Sequence, residues 1–324
     1  MKVMYVCSTG GHLTELLHWS HRLRFTPDQA VWLTHERSNS SRIAEVYPGA
    51  SVRYVRSVES KQALIALRLI PVVRRILSEE QPDVVLSTGA AVAVPVAFAA
   101  RLAAIPFYYL ESAARLDGPS LTGRLVSRID RRHMWCQATP PWPGWRSAGS
   151  VFDAFAAELY PVERPITRVV VALGTQANFG FRAAVEAIVQ RLAELPGEKQ
   201  VLWQIGGTDV SGLNVDDPRK HVPEEELIAA TRAADVVITH AGVGLASLAL
   251  ENGKCPVLLP RRAARGEHTD DHQLQLGRYL DTRGLAVTVE VPDLRVEHLR
   301  RAQQTRIVSL ALGELSSLSL SPTD

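Results

Sequence analysis

Along the whole chain, short β-branched runs alternate with stretches whose apolar residues recur at helical spacing, the pattern of parallel sheets wound with helices. In the first half this predicts strands over Lys2–Cys7, Ala30–Thr34, Val52–Val55, Val84–Ser87 and Phe107–Leu110, with helices such as Thr14–Leu23 and Val92–Ala103 between them. Between residues 138 and 165 come Thr139-Pro-Pro-Trp-Pro-Gly-Trp, Pro161 and Pro165, too many breakers for a regular element, so a linker is expected there. The alternation then restarts with strands over Arg168–Leu173, Val201–Ile205, Val236–Thr239, Pro256–Leu259 and Leu285–Val289. Two α/β domains are expected, residues 1–150 and 166–324, with the Ser/Leu-rich end from Ser316 to Asp324 frayed.

Two helical segments need a closer look. Ala90–Ala104 is the most apolar stretch, but Pro95 and Arg101 interrupt it, and it falls short of the roughly 20 apolar residues of a spanning helix. A buried crossover helix is expected instead. In Lys61–Leu77, Lys61, Arg68 and Arg75 recur every seven residues, while Leu64, Leu67, Ile70 and Val73 are apolar. Such a helix lies flat on a membrane or packs on a sheet, with a break expected at Pro71.

Composition adds a charge asymmetry: residues 1–150 carry a net +7 and residues 151–324 a net −5. The basic half suits an anionic surface or a diphosphate. Nucleic acid is not an expected partner, because no recognisable nucleic-acid motif accompanies the charge. Cys7, Cys136 and Cys255 have neither disulfide nor zinc-ligand spacing, and the expectation is a cytosolic protein working at the inner face of a membrane.

The candidate chemistry sits where strands end. Strand one runs into Ser8-Thr9-Gly10-Gly11-His12 and a helix, placing two glycines and a histidine where ligands of wound sheets bind. Gly-Gly here is also a common tight turn; His12 adds a group able to act as a base near neutral pH. The second domain has Leu173-Gly174-Thr175-Gln176, then Gly206-Gly207, then His240-Ala241-Gly242-Val243-Gly244, each at a strand end. These turns place a nucleoside diphosphate at one edge of the second sheet. The loop after Pro260 ends in Asp270-Asp271-His272-Gln273, whose imidazole and amide suit sugar hydroxyls. Arg261, Arg262 and Arg265 lie close to it, fitting an acidic sugar, the diphosphate or simply solvent. In the first half, Arg115, Arg124, Arg128, Arg131 and Arg132 follow Glu111-Ser112, a candidate contact for an acceptor diphosphate or a membrane surface.

The segment from His240 to Gln273 resembles the C-terminal domain of the glycosyltransferase family that includes the peptidoglycan-precursor N-acetylglucosaminyltransferase. It is similar, too, to the catalytic subunit of the two-subunit enzyme adding the second N-acetylglucosamine to dolichol diphosphate. Val6 to Leu13, Glu111 to Arg115 and Leu121 to Arg124 resemble that enzyme's membrane-recruiting subunit and its bacterial exopolysaccharide counterparts, as though both subunits were fused in one chain.

The resemblance implies two Rossmann-like domains facing across a cleft, the GT-B fold, and inverting transfer from a UDP-sugar to a polyprenyl-diphosphate-linked glycolipid, with no metal or other cofactor. It implies Gly174 and Thr175 near the donor diphosphate, Gly206 and Gly207 near the nucleoside, and His272 and Gln273 at the sugar, with His240, Gly242 and Gly244 completing the donor edge. Gly10, Gly11, Arg115 and Arg124 fall to the acceptor phosphates. His12 is the first candidate base and Glu111 the second. One position departs from the family: a ribose-gripping glutamate is replaced by Leu248, with Glu251 one turn further on. Two rival readings are a UDP-sugar 2-epimerase of the same fold and a non-catalytic membrane-recruiting subunit.

Overall fold

The structure, a computed structural model, describes residues 1–24, 27–36, 42–57, 63–161, 164–175, 179–311 and 315–322. Lys61, Gln176 and Asp324, named above, lie outside them, as does the side chain of Leu64. The chain forms two compact units, one of residues 1–151 with the C-terminal tail, the other of residues 152–311.

In the first unit, strands and helices alternate: β1 (Lys2–Val6), α1 (Gly11–Ser20), β2 (Gln29–Thr34), α2 (Arg42–Val46), β3 (Ser51–Tyr54), α3 (Ala63–Glu80), β4 (Val84–Ser87), α4 (Ala93–Leu102), β5 (Phe107–Leu110), α5 (Leu121–Ile129), β6 (Met134–Cys136) and β7 (Arg146–Ser147). They build a parallel sheet of order β3-β2-β1-β4-β5-β6-β7. Strands β1, β4 and β5 are nearly all buried, as their continuous apolar runs require of strands covered on both faces. Helix α4 is the expected crossover helix, with Val96, Ala97, Ala99 and Ala100 in the core. Helix α3 continues through Pro71, contrary to the expected break. The amide that proline lacks would have bonded near Leu67, on the exposed side, where water can serve the freed carbonyl.

The second unit contains β8 (Phe155–Leu159), β9 (Arg168–Ala172), α6 (Arg182–Ala193), β10 (Gln200–Gln204), α7 (Glu224–Ala233), β11 (Val236–His240), α8 (Val243–Glu251), β12 (Val257–Leu259), α9 (His272–Thr282), β13 (Val287–Thr288), α10 (Val296–Gln303) and β14 (Thr305–Ser309). Its parallel sheet has the order β10-β9-β11-β12-β13.

Two boundaries differ from the sequence reading. The expected linker 138–165 contains β8, which pairs antiparallel with β14 and so belongs to the second unit. Its sequence Phe-Ala-Ala-Glu-Leu shows no alternation, and pairing with a partner some 150 residues away creates the strand. The tail is docked rather than frayed: Leu318 and Leu320 are buried, and Leu318 exchanges backbone hydrogen bonds with Arg22 and Arg24 at 3.0 Å. Arg22, stacked on Trp19, also donates to the carbonyls of Ser150 and Val151, which holds the end of the first unit against α1.

Candidate functional site

In a wound sheet the strand order reverses at one point, and the helices leave that point on opposite faces, opening a crevice at the carboxyl ends. In the first unit the reversal lies between β1 and β4, and His12 stands there. Gly10 turns the chain with φ 83°, and α1 starts at Gly11. His12 Nδ1 lies 2.8 Å from the carbonyl of Thr88, and the Thr88 hydroxyl returns a bond to the His12 carbonyl at 2.7 Å. A carbonyl only accepts, so the proton in this hydrogen bond sits on Nδ1. Gly89 (φ 107°) makes room for the ring; a Cβ there would stand 3.5 Å from His12 Cε1 and 3.0 Å from the Tyr109 hydroxyl. Thr88 and Gly89 escaped the sequence reading, although Ser87-Thr88-Gly89 repeats the tripeptide Ser8-Thr9-Gly10 at the end of another strand.

Glu111 is corrected as a candidate base. It is 1% exposed, and its oxygens accept from the Ser120 amide and hydroxyl (both 2.9 Å) and the Ser112 amide (3.2 Å). Ser120 in turn caps α5 through the Gly123 amide. Glu111 thus builds the loop leading into α5. Glu15, one turn after His12, receives the Ser112 hydroxyl (2.6 Å), the Ala113 amide (2.9 Å) and Gln137 (2.7 Å), fastening the same loop to α1. This loop carries Arg115, while Arg124 projects from α5 into solvent; Arg132 is engaged by Asp130 at 2.7 Å.

Burial raises the Glu15 carboxyl to about 7 against these hydrogen bonds. An acid with a raised folded-state pKa stabilises most below its unfolded value and loses that contribution as pH climbs towards 7. Glu15→Gln, whose amide can donate to Ser112, is expected to flatten this pH dependence and raise the melting temperature at pH 8 relative to wild type. Thermal unfolding between pH 5 and 8 measures it; parallel curves for the two proteins would refute the assignment.

In the second unit the reversal falls between β9 and β11, where Gly174 and His240 meet. Gly174 has φ 88°, and a Cβ on it would lie 3.0 Å from His240 Cε1; one on Gly242 would overlap the same ring. The imidazole is wedged between two glycines. Burial first, then the Arg261 charge and the nearby imidazoles of His268 and His272, push its pKa down to about 3, so His240 is neutral at physiological pH. Gly242 is the N-cap of α8 and no side chain caps that helix, leaving its first amides, with Gly244 in the first turn, pointing to the crevice. Gly206 (φ 60°) and Gly207 end β10, and the following Thr208 hydroxyl accepts the Phe181 amide at 3.0 Å, joining this turn to α6. Thr175 is exposed beside Gly174.

Arg261 ties these strand ends together. Only 2% exposed, it donates to the carbonyls of Leu173 (2.7 Å), Phe179 (2.9 Å) and Glu267 (3.3 Å) and lies over the Phe181 ring. Burial lowers its pKa to about 10, which still leaves it charged, and no carboxylate among the described residues pairs with it. The other two arginines of this loop differ: Arg262 bridges Asp271 and Glu290, and Arg265 approaches Glu290 at 3.5 Å. Neither is a free clamp for an acidic sugar.

Gln273 is corrected as a direct sugar contact. It is 2% exposed, with its carbonyl accepting the Arg261 amide at 3.1 Å. His272 opens α9 with partial exposure, and His268 stacks edge-on against it, ring centres 4.7 Å apart. Leu248 packs on the core below the sheet edge, and Glu251 ends α8, about 12 Å along the axis from its start.

The two Rossmann-like units have the GT-B fold, and the domain match and sequence relatives that follow make the chain a glycosyltransferase. Residues 168–306 match the glycosyltransferase family 28 C-terminal domain. The chain is 28% identical over 298 residues to the UDP-N-acetylglucosamine–N-acetylmuramyl-(pentapeptide) pyrophosphoryl-undecaprenol N-acetylglucosamine transferase of Verminephrobacter eiseniae, covering 84% of this chain and 80% of the relative. The enzyme of the same name from Halorhodospira halophila is 28% identical over 312 residues, covering 88% and 83%. Among solved structures, the chain is similar to MurG of Acinetobacter baumannii (TM-score 0.56, 18% identity, 93% and 88% covered). It is also similar to a UDP-GlcNAc 2-epimerase from Methanocaldococcus jannaschii (TM-score 0.56, 14% identity, 93% and 91% covered), a likeness of fold.

Proposed function

We propose that this glycosyltransferase moves a sugar from a UDP-sugar, held by the second unit, to a polyprenyl-diphosphate-linked glycolipid, with inversion and without a catalytic metal. The observation that carries this is the strand-end assembly of Gly174, His240, Gly242 and Arg261 at the reversal point of the unit that matches the family 28 domain. The names of the sequence relatives support the donor and acceptor classes.

In this reading the acceptor hydroxyl oxygen attacks the anomeric carbon and its proton passes to His12 Nε2. The bond from that carbon to the diphosphate oxygen breaks, and UDP leaves with the electron pair. The α8 amides and the buried Arg261 charge supply the field that receives the charge developing on the diphosphate. The test incubates the full chain with a panel of UDP-sugars, with and without polyprenyl-diphosphate acceptors. Transfer that needs acceptor supports the proposal; conversion of UDP-N-acetylglucosamine without acceptor would establish the epimerase reading instead, and failure to bind any UDP-sugar would establish the non-catalytic one.

The same proposal places the first unit on a membrane. No helix among the described residues is long and apolar enough to cross one. Helix α4 packs between α3 and α5, and this layer exposes Leu67 (60%), Leu102 (57%) and Leu121 (61%), with Phe98 and Leu125 nearby in the same helices. Arg68, Arg74, Arg101, Arg124 and Arg128 are exposed on these helices. Apolar side chains among arginines suit an anionic bilayer surface, each basic residue adding about 1 kcal/mol there. Leu102→Glu with Leu121→Glu is expected to weaken binding to vesicles containing phosphatidylglycerol at least about tenfold, the double loss of apolar burial and gain of like charge exceeding 1.4 kcal/mol. Equal sedimentation of variant and wild type with the vesicles would remove this face from membrane contact.

A further inference from the structure

The loop between Arg261 and α9 holds a group that sugar transfer does not require. His268, Asp270 and His272 each offer one ligand atom, and these atoms all lie within 4.8 Å of one another. Their arrangement is convergent. The Nδ1 atoms of both histidines approach the same carboxylate oxygen of Asp270, His268 at 3.9 Å and His272 in direct contact. The rings are held in place: His268 stacks on Phe179 with centres 5.5 Å apart, and His272 stands perpendicular to His268. The Asp270 amide neighbour His272 also donates its backbone N–H to that oxygen at 3.3 Å. The histidine side chains are mostly sheltered, at 12% and 18% exposure, whereas Asp270 is 39% exposed, so solvent reaches the group from the carboxylate side.

We propose that His268, Asp270 and His272 form a binding site for a borderline divalent cation of the zinc class. Two imidazole nitrogens and one carboxylate oxygen, with the remaining position left to water, are a donor set such ions favour. Magnesium and calcium prefer all-oxygen shells and are excluded on the same ground. The ion takes the place of the contact between His272 Nδ1 and Asp270, and the Thr269 hydroxyl, 3.3 Å from His268 Nδ1, yields its bond. The spacing His-x-Asp-x-His is legible in the sequence, but convergence of the two Nδ1 atoms is visible only in the folded loop.

The site has a consequence that rests on the transferase reading above: zinc engages His272 at the donor edge and so opposes donor binding. Occupation of the site converts the loop into a clamp that inhibits transfer.

The test uses the metal alone first. Full-length protein freed of metal is titrated with Zn²⁺ and Co²⁺ in the absence of nucleotide, following the visible absorption of bound Co²⁺ and its displacement by Zn²⁺. One equivalent is expected to bind, with no comparable response to Mg²⁺. His268→Ala and Asp270→Asn are each expected to weaken binding at least about tenfold, the lower end of what even outer-sphere partners cost. His298→Ala, far from the loop in sequence, is the control and should bind as wild type. No saturable Zn²⁺ binding, or binding unchanged in His268→Ala, overturns the site; so does loss in the control. A second titration measures UDP affinity with and without one equivalent of Zn²⁺. Weaker UDP binding in wild type but not in His268→Ala is the expected result. Because the first titration contains no nucleotide, failure of the metal site and failure of the donor reading are separate outcomes.

Discussion

Replacing His12 by alanine is expected to lower the turnover of sugar transfer by about 10²- to 10⁴-fold, the contribution of a positioned general base. Turnover should fall far more than donor affinity, because a base acts on the proton that moves in the transition state and not on the bound donor. The reasoning is geometric. The Thr88 carbonyl accepts from Nδ1, so in this proposal Nε2 is the nitrogen that takes up the acceptor proton, and Gly89 leaves the space the ring occupies. Glu111, the second candidate base, has its oxygens engaged by Ser112 and Ser120. His12→Gln offers a hydrogen-bonding side chain of similar reach that cannot take up a proton, and should be as impaired as alanine. Steady-state kinetics with a polyprenyl-diphosphate acceptor decide the matter: wild-type turnover in His12→Ala would take this residue out of the mechanism.

The second large effect is expected at Arg261. Arg261→Met removes the donors of three carbonyls, Leu173, Phe179 and Glu267, at a buried position, and unsatisfied buried groups cost roughly 1–3 kcal/mol each. Part of this is recovered by relaxation and water, so a destabilisation of about 3 kcal/mol is the expected net. The substitution also removes a buried positive charge beside His240 and the α8 N-terminus, so UDP binding should fall at least about tenfold. Arg261→Lys keeps the charge but lacks the planar fork that reaches separate carbonyls, and should recover UDP affinity more than stability. Calorimetry of UDP binding and thermal unfolding of the same variants give both numbers. A methionine variant with wild-type UDP affinity would show that Arg261 serves the fold alone.

These two residues illustrate how differently the placement of candidate site residues was written in the chain. His12 was legible because its neighbours are local: a strand, two glycines and a helix start within a dozen residues. Gly174, His240 and Gly242 were legible for the same reason, each at the end of a predicted strand. Arg261 was visible only as one of three arginines in a loop. Its partners at Leu173 and Phe179 lie more than 80 residues away, and nothing local distinguishes it from Arg262 and Arg265, which are neutralised by Asp271 and Glu290. Glu111 and Gln273 went the other way. Both are polar residues at positions that suggest exposure to a ligand, and both are buried as acceptors for backbone amides.

By itself, then, the sequence determined the alternation of strands and helices, the two α/β units and the glycine turns at the strand ends, because those depend on apolar period and on glycine within short windows. Tertiary structure alone decided the order of strands, the pairing of β8 with β14, the docking of the tail through Leu318 and Leu320, and which polar side chains face inward. Those outcomes rest on hydrogen bonds and burial between segments far apart in the chain, and a buried polar group is recognised only once its distant partner is known.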